Sequence, residues 1–249
     1  EELRAALAEL LAALALMGCN PGAACELWEA LKPLPYTERY SVYADAHWRV
    51  FPDKPELVVE RARCRDEMRV LLKGLTKDNL GKKRRALGRL SCGNPLVVAD
   101  VVVDYVQEWE SMIDVCKEAL LFCSSLALDV LSYVLVEELG GAPQAGKAFL
   151  QEDCANLERW LVNLASFIGE VYVKYPRTEV RGLLQHVFNR MRRDSYGELV
   201  VLRELVARMA GIKYELESVS SDMLDARAGA ERLRLQAEHP WPAECLFEQ

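Results

Sequence analysis

The sequence is poor in histidine, with three in 249 residues, at positions 47, 186 and 239, far apart and with different neighbours. None stands at ligand-like spacing beside a cysteine, and the eight cysteines, at 19, 25, 64, 92, 116, 123, 154 and 245, form no C-x-x-C pair. Zinc sites and redox dithiols need those spacings, so reduced, mostly buried thiols are expected instead. Cys116 and Cys123, seven apart, read as one face of a single helix. His186, in LLQHVFNRM, is accompanied by no nucleophile or orienting acid and reads as a partly buried helix residue.

Other absences narrow the function further. There is no P-loop, no G-x-S-x-G elbow, no H-E-x-x-H and no G-x-G-x-x-G after a strand. Clustered Asp-rich motifs of the kind that hold Mg²⁺ around a diphosphate are missing too. No catalytic, cofactor-binding or metal-binding residue is assigned, and no cofactor is expected. Apolar runs such as Leu96 to Val103 are interrupted by Asp100 and followed by Asp104, and none reaches the ~20 residues that span a bilayer. No membrane association is expected. The chain starts at Glu1, and its opening LRAALAELLAALALMG is an acidic amphipathic helix unlike a signal peptide, so it reads as an excerpt from a longer protein.

What is present is helix. The balance of 51% hydrophobic and 28% charged residues is that of an ordered protein. Nearly every segment has helical periodicity, and no alternating strand bounded by turn signals is visible. The expected fold class is all-α. Helices are expected over about 2–16, 23–31, from Tyr36 to near Pro52, and from Pro55, where Val58, Ala62, Met68, Leu71 and Leu75 suggest the buried face. The junction Gly88 to Pro95 ends one helix and starts another: Asn94 can cap free N–H groups and Pro is tolerated at the first helical position.

Two strongly apolar helices, about 95–109 and 112–139, should form the packed core, the second through Leu120, Leu121, Leu128, Leu131, Leu135 and Leu139. Residues 140–146 read as a loop open to motion or insertion. Asp153 is expected to cap a helix running to Tyr175, followed by helices at about 178–193 and 196–210 that close at Gly211. A short charged helix and Pro240-Trp241-Pro242 follow. Consecutive helices joined by short turns, without a repeat at roughly 33 to 47 residues, suggest an α-solenoid of antiparallel helix pairs, MIF4G/HEAT-like. The expected division is residues 1–80, 81–237 and a tail, 238–249.

Two features bear on nucleic acid. Tyr36, Tyr40 and Tyr43 could stack bases, but spacings of four and three on a helix favour core packing. Lys82, Lys83, Arg84, Arg85 and Arg89 put five cations in eight residues and admit three readings: a contact with RNA or an acidic partner, a nuclear address, or a solvated helix face. The formal charge of −7 opposes a bare polyanion-binding module. Acids three or four residues from a base, such as Glu60 and Arg63, read as solvated helix surface.

Several stretches together carry a family resemblance: ELWEALKPLPYTERYSVYADAHW at 26–48, LTKDNLGKKRRALGRLSCGNPLVVADVVVDYV at 75–106, WLVNLASFIGEVYVKYP at 160–176, GLLQHVFNRM at 182–191 and LRELVARMAGI at 202–212. In order and spacing they resemble the central region of the large scaffold subunits, subunit 2, of the THO complex, the nuclear assembly that joins the TREX machinery for messenger RNA packaging and export. The resemblance spans roughly residues 16–237. A histidine more often stands in that family where this chain has Cys92, which speaks against a metal or catalytic role there. The resemblance implies a nuclear, non-catalytic α-solenoid that binds the other THO subunits and the DEAD-box ATPase of mRNA export. Messenger RNA would be reached indirectly or through a local basic patch. The alternatives are a direct RNA-binding MIF4G-type adaptor and a helical enzyme with an unfamiliar site.

Overall fold

Proline and asparagine mark several of the helix starts. The computed structural model describes residues 1–76, 79–141, 146–150, 157–193 and 196–211. Among them are twelve α-helical segments, and the only β pairing is a single bridge between Leu150 and Leu157. Asn20 caps α2 (Pro21–Leu31), its Oδ1 accepting from Ala23 N at 3.2 Å, with Pro21 at the first helical position. Pro55 and Pro95 open α5 (Pro55–Lys73) and α7 (Pro95–Glu108) in the same way.

The expected cap at Asn94 is not made. Asn94 ends α6 (Leu80–Gly93), donating its backbone N–H to Leu90 O at 2.9 Å, and starts α7 at once. Its Oδ1 is buried without a hydrogen-bond partner. One residue serving two helix ends lacks the freedom to swing its amide over the second.

α1 (Glu2–Ala13) buries Leu7, Ala8, Leu11 and Ala12. α3 (Tyr36–Asp45) continues through a π turn, Ala46–Val50, into the short α4 (Phe51–Asp53). The widened turn lies directly before Pro52, which lacks an N–H and whose ring displaces the carbonyl one turn back. On α5 the buried stripe is Leu57, Cys64, Met68, Leu71 and Leu72. Val58 and Ala62, expected inside, are exposed; each falls off the seven-and-four spacing that joins Leu57 to Cys64 and Met68.

α7 is the centre of the core. It is buried from Pro95 to Val103 except Asp100, which is only partly covered, and packs against α5, α6, α9 (Ser125–Gly141) and α10 (Arg159–Lys174). The helix expected over 112–139 is two helices. α8 (Ile113–Ala119) runs into a 3₁₀ turn at Leu120–Phe122, Cys123 is extended, and Ser124 Oγ accepts from Ala127 N at 3.2 Å to start α9. Leu121 and Phe122 consequently face outward. Cys116 lies on α8 and Cys123 at the break, so the two do not share one helix.

Gly88 explains why α6 can lie against this break. A Cβ there would stand 2.7 Å from the Phe122 carbonyl oxygen.

α11 (Arg181–Met191) packs on α9 and α3, so contacts join elements far apart in the chain. Glu1–Leu205 forms one compact unit. Of the second, Val206–Gln249, the described part is the last turn of α12 (Leu199–Met209) and Gly211 at φ +69°. Asp153, residues 142–145, and the chain after 211, with its Pro-Trp-Pro segment, lie outside the described residues.

Candidate functional site

The basic run is divided by its own helix. Lys82, Arg85 and Arg89 are exposed on α6 at spacings of three and four, which places them along one stripe. Among the described residues none of the three has a carboxylate within ion-pair distance. Lys83 and Arg84 turn the other way and are partly buried. The Lys83 ammonium lies close over Gly74, and the Arg84 guanidinium sits 5.2 Å from the centre of the Phe122 ring. Two of the five cations therefore pack against the fold, and three are exposed.

Beside the stripe, α5, α6 and the segment after α1 line a cleft of about 480 Å³. Arg89 stands on one rim. Glu60, Arg63 and Glu67 line the opposite wall, where Arg63 lies 3.6 Å from Glu60 and 3.2 Å from Glu67. Cys64, Leu71, Ala86 and Leu90 line the apolar part.

Inside unit 1 the structure assembles polar clusters from residues distant in sequence. In the first, Arg39 donates to both oxygens of Asp129, at 2.8 and 2.9 Å, and to Leu34 O at 2.7 Å. Tyr43 donates to Asp129 Oδ2 at 2.6 Å, and Glu179 lies 3.3 Å from Arg39. Burial, and then the Asp129 charge, push the Tyr43 phenol well above its ordinary range. Tyr40 and Tyr43 pack edge-to-face on Tyr133, at 5.6 and 5.8 Å. Tyr43 is fully buried, so the tyrosine stripe is chiefly core packing.

The second cluster surrounds His47, which is 4% exposed. Arg61 Nη2 donates to His47 Nε2 at 2.6 Å, an arrangement that requires this nitrogen to be unprotonated. Asp100 Oδ2 lies 3.4 Å from His47, 3.5 Å from Arg61 and 4.0 Å from Arg65. Burial pushes the Asp100 carboxyl up to about 6, with the neighbouring cations only partly opposing it. Glu137 accepts from Trp48 and faces His47 Nδ1 at 3.5 Å. Burial raises its pKa, but hydrogen bonds from His47 and Trp48 outweigh that and leave it below its usual value.

The third cluster leaves His186 a partly buried helix residue, as expected, but corrects the expectation that no acid accompanies it. An acid does accompany it: the fully buried Glu198 lies 2.7 Å from His186 Nε2 and accepts from Arg190 Nε at 2.9 Å. The partner comes from the turn before α12, which is why the neighbours of His186 in sequence give no sign of it. His239 lies outside the described residues.

Of the cysteines, Cys64, Cys92 and Cys116 are buried, Cys123 is partly so, Cys19 and Cys25 are exposed, and these six are free thiols. Cys154 and Cys245 lie outside the described residues. Among the described residues no group of three or more His, Cys, Asp or Glu is placed to hold a metal ion, and no helix is long and apolar enough to cross a membrane.

The fold and these clusters define an all-helical protein whose buried charges cross-link helices. Two family models match it in succession: THO complex subunit 2 N-terminus over residues 7–85, and Transcription- and export-related complex subunit over residues 87–165. The chain is 38% identical over 229 residues to THO complex subunit 2 of Arabidopsis thaliana, covering 92% of this chain and 12% of that protein. It is 34% identical over 227 residues to THO complex subunit 2 of Homo sapiens, covering 91% and 14%. The Saccharomyces cerevisiae protein of the same name is 23% identical over 227 residues. The chain belongs to the THO complex subunit 2 family, and it spans 12 to 14% of the length of these relatives.

Proposed function

We propose that this chain is a non-catalytic section of the THO complex scaffold subunit. It holds partner subunits in place for nuclear mRNP assembly, transcription-coupled mRNA processing and mRNA export. The observation that carries this reading is similarity to THO complex subunit 2 over nine-tenths of the chain. In this proposal the helices form part of a MIF4G/HEAT-like α-solenoid, with sections 1–80 and 81–237 and a tail, 238–249. The two family models change over between residues 85 and 87, which supports a division near there. Packing of α3 on α9 and α11 makes the section thicker than a single file of hairpins. Its surfaces bind other THO subunits and the DEAD-box RNA-dependent ATPase, whose catalysis they bias by favouring one arrangement of its lobes.

The test is to tag the full-length protein in its own cells and purify it gently from nuclei. THO subunits and the DEAD-box ATPase should be recovered in near-equal amounts. Recovery of ribosomal or translation-initiation proteins in their place would sink the assignment. A second reading, direct RNA binding, is favoured by the exposed Lys82, Arg85 and Arg89, which have no acid partner among the described residues. It predicts RNA affinity that falls steeply with salt and is lost when these three are neutralised.

A further inference from the structure

We propose that the cleft between α5 and α6 is a docking site for an acidic amphipathic helix of a partner protein. The partner seats an apolar residue in the cleft and lays its carboxylates along Lys82, Arg85 and Arg89. The inference goes beyond the scaffold role by giving the chemistry of one partner segment.

Charge complementarity is the first support. On the α5 wall Arg63 lies between Glu60 and Glu67 and offsets much of their charge, whereas Arg89 on the α6 rim has no such acid among the described residues. Arg85 and Lys82 extend that uncompensated charge along the helix for about 10 Å, at 1.5 Å per residue. Acids on a partner helix repeat at the same three- and four-residue spacings, so one face of such a helix can meet all three cations.

The cleft's composition selects the class of partner. At about 480 Å³ it falls in the size range of pockets that take small ligands or anchoring side chains. Its apolar part, from Cys64, Leu71, Ala86 and Leu90, suits an aliphatic or aromatic anchor. Among the described residues no aromatic ring lines it, so bases find no stacking platform there. A carboxylate row on one face of a helix can lie along the cationic rim, away from the Glu60–Glu67 wall.

The test uses the full-length protein and fluorescence anisotropy with three labelled probes. These are an Ala-based helical peptide bearing Leu anchors on one face and Glu at three- and four-residue spacings, the same peptide with Gln for Glu, and an oligouridylate of similar length. The Glu peptide is expected to bind saturably, and the Gln peptide at least about tenfold more weakly. Ala86→Trp, which fills the cleft, and the triple reversal Lys82→Glu, Arg85→Glu, Arg89→Glu should each cut affinity at least about tenfold, with circular dichroism confirming unchanged helicity. The two peptides compared on the unaltered protein keep the test decisive if a variant fails to fold. Absence of Glu-peptide binding, equal binding of both peptides, or binding indifferent to Ala86→Trp in a folded variant overturns the proposal. Binding of oligouridylate alone also overturns it and identifies an RNA surface. None of these results touches the co-purification test, so the scaffold reading can stand when this one falls.

Discussion

Asp129 and Asp100 each interrupt an apolar helix, and the chain treats them differently. Around Asp129 three donor contacts fall between 2.6 and 2.9 Å, and both partners are almost wholly buried. Around Asp100 the two arginines stand at 3.5 and 4.0 Å, and a histidine shares the nearer one. The first acid is saturated by a bidentate arginine and a phenol; the second is desolvated without full compensation. Burial alone therefore says little about what a charge contributes. Contact length and donor count decide whether it locks the fold or strains it.

The comparison can be broken at graded cost. Leu131→Asp should have the largest effect: it puts a carboxylate in place of an almost fully buried leucine, and the chain should fail to fold or should aggregate on expression. A soluble variant with unchanged helical circular dichroism would refute the assigned face. Asp129→Ala leaves Arg39 buried without its main partner and should cost about 3–5 kcal/mol in urea unfolding. A loss near zero would erase the distinction between the two acids. Tyr43→Phe removes one donor to the same carboxylate and should cost about 1–2 kcal/mol.

Asp100→Asn should be the mildest, within about 1 kcal/mol near neutral pH, because the lost cation contacts are offset by relief of desolvation. It should also change the pH dependence. Since the folded carboxyl titrates at about 6 against an ordinary 3.8, the folded state binds the extra proton between those values. Stability from this group therefore falls as pH rises from about 4 to 6 and stays reduced above that. Subtracting the Asp100→Asn profile from that of the unaltered chain should isolate this slope. A difference profile flat from pH 4 to 7 would show that Asp100 is compensated after all.

Helix class and most boundaries are legible in the sequence because proline, asparagine and glycine act locally. Pro55, Pro95, the stop near Pro52 and Gly211 all behave as expected. Two failures have a common cause. Asn94 does not cap because it is already ending α6, and residues 112–139 break at Cys123 because Ser124 starts a new helix there; in both, a residue's local preference is decided by what its neighbour helix needs. The ion clusters are illegible because Arg39 and Asp129 are 90 residues apart. A usable signal was present nonetheless: an acid inside LALDVLSYV or VVADVVV has to find a cation somewhere in the fold. The basic run reads as one unit in sequence, and only packing against Gly74 and Phe122 separates its structural members from its available ones.

The close approach of Gly88 to the Phe122 carbonyl has a reach beyond packing. Gly88 lies on the same rigid helix as Lys82, Arg85 and Arg89, so the depth to which α6 sinks toward the α8–α9 break fixes how far those cations project. A single added methyl at position 88 would lift the helix and shift all three charges together. What the protein offers to a visitor on its exterior is thus governed by a hydrogen atom in its interior. A change in recognition could arise from a substitution that no outside molecule ever touches.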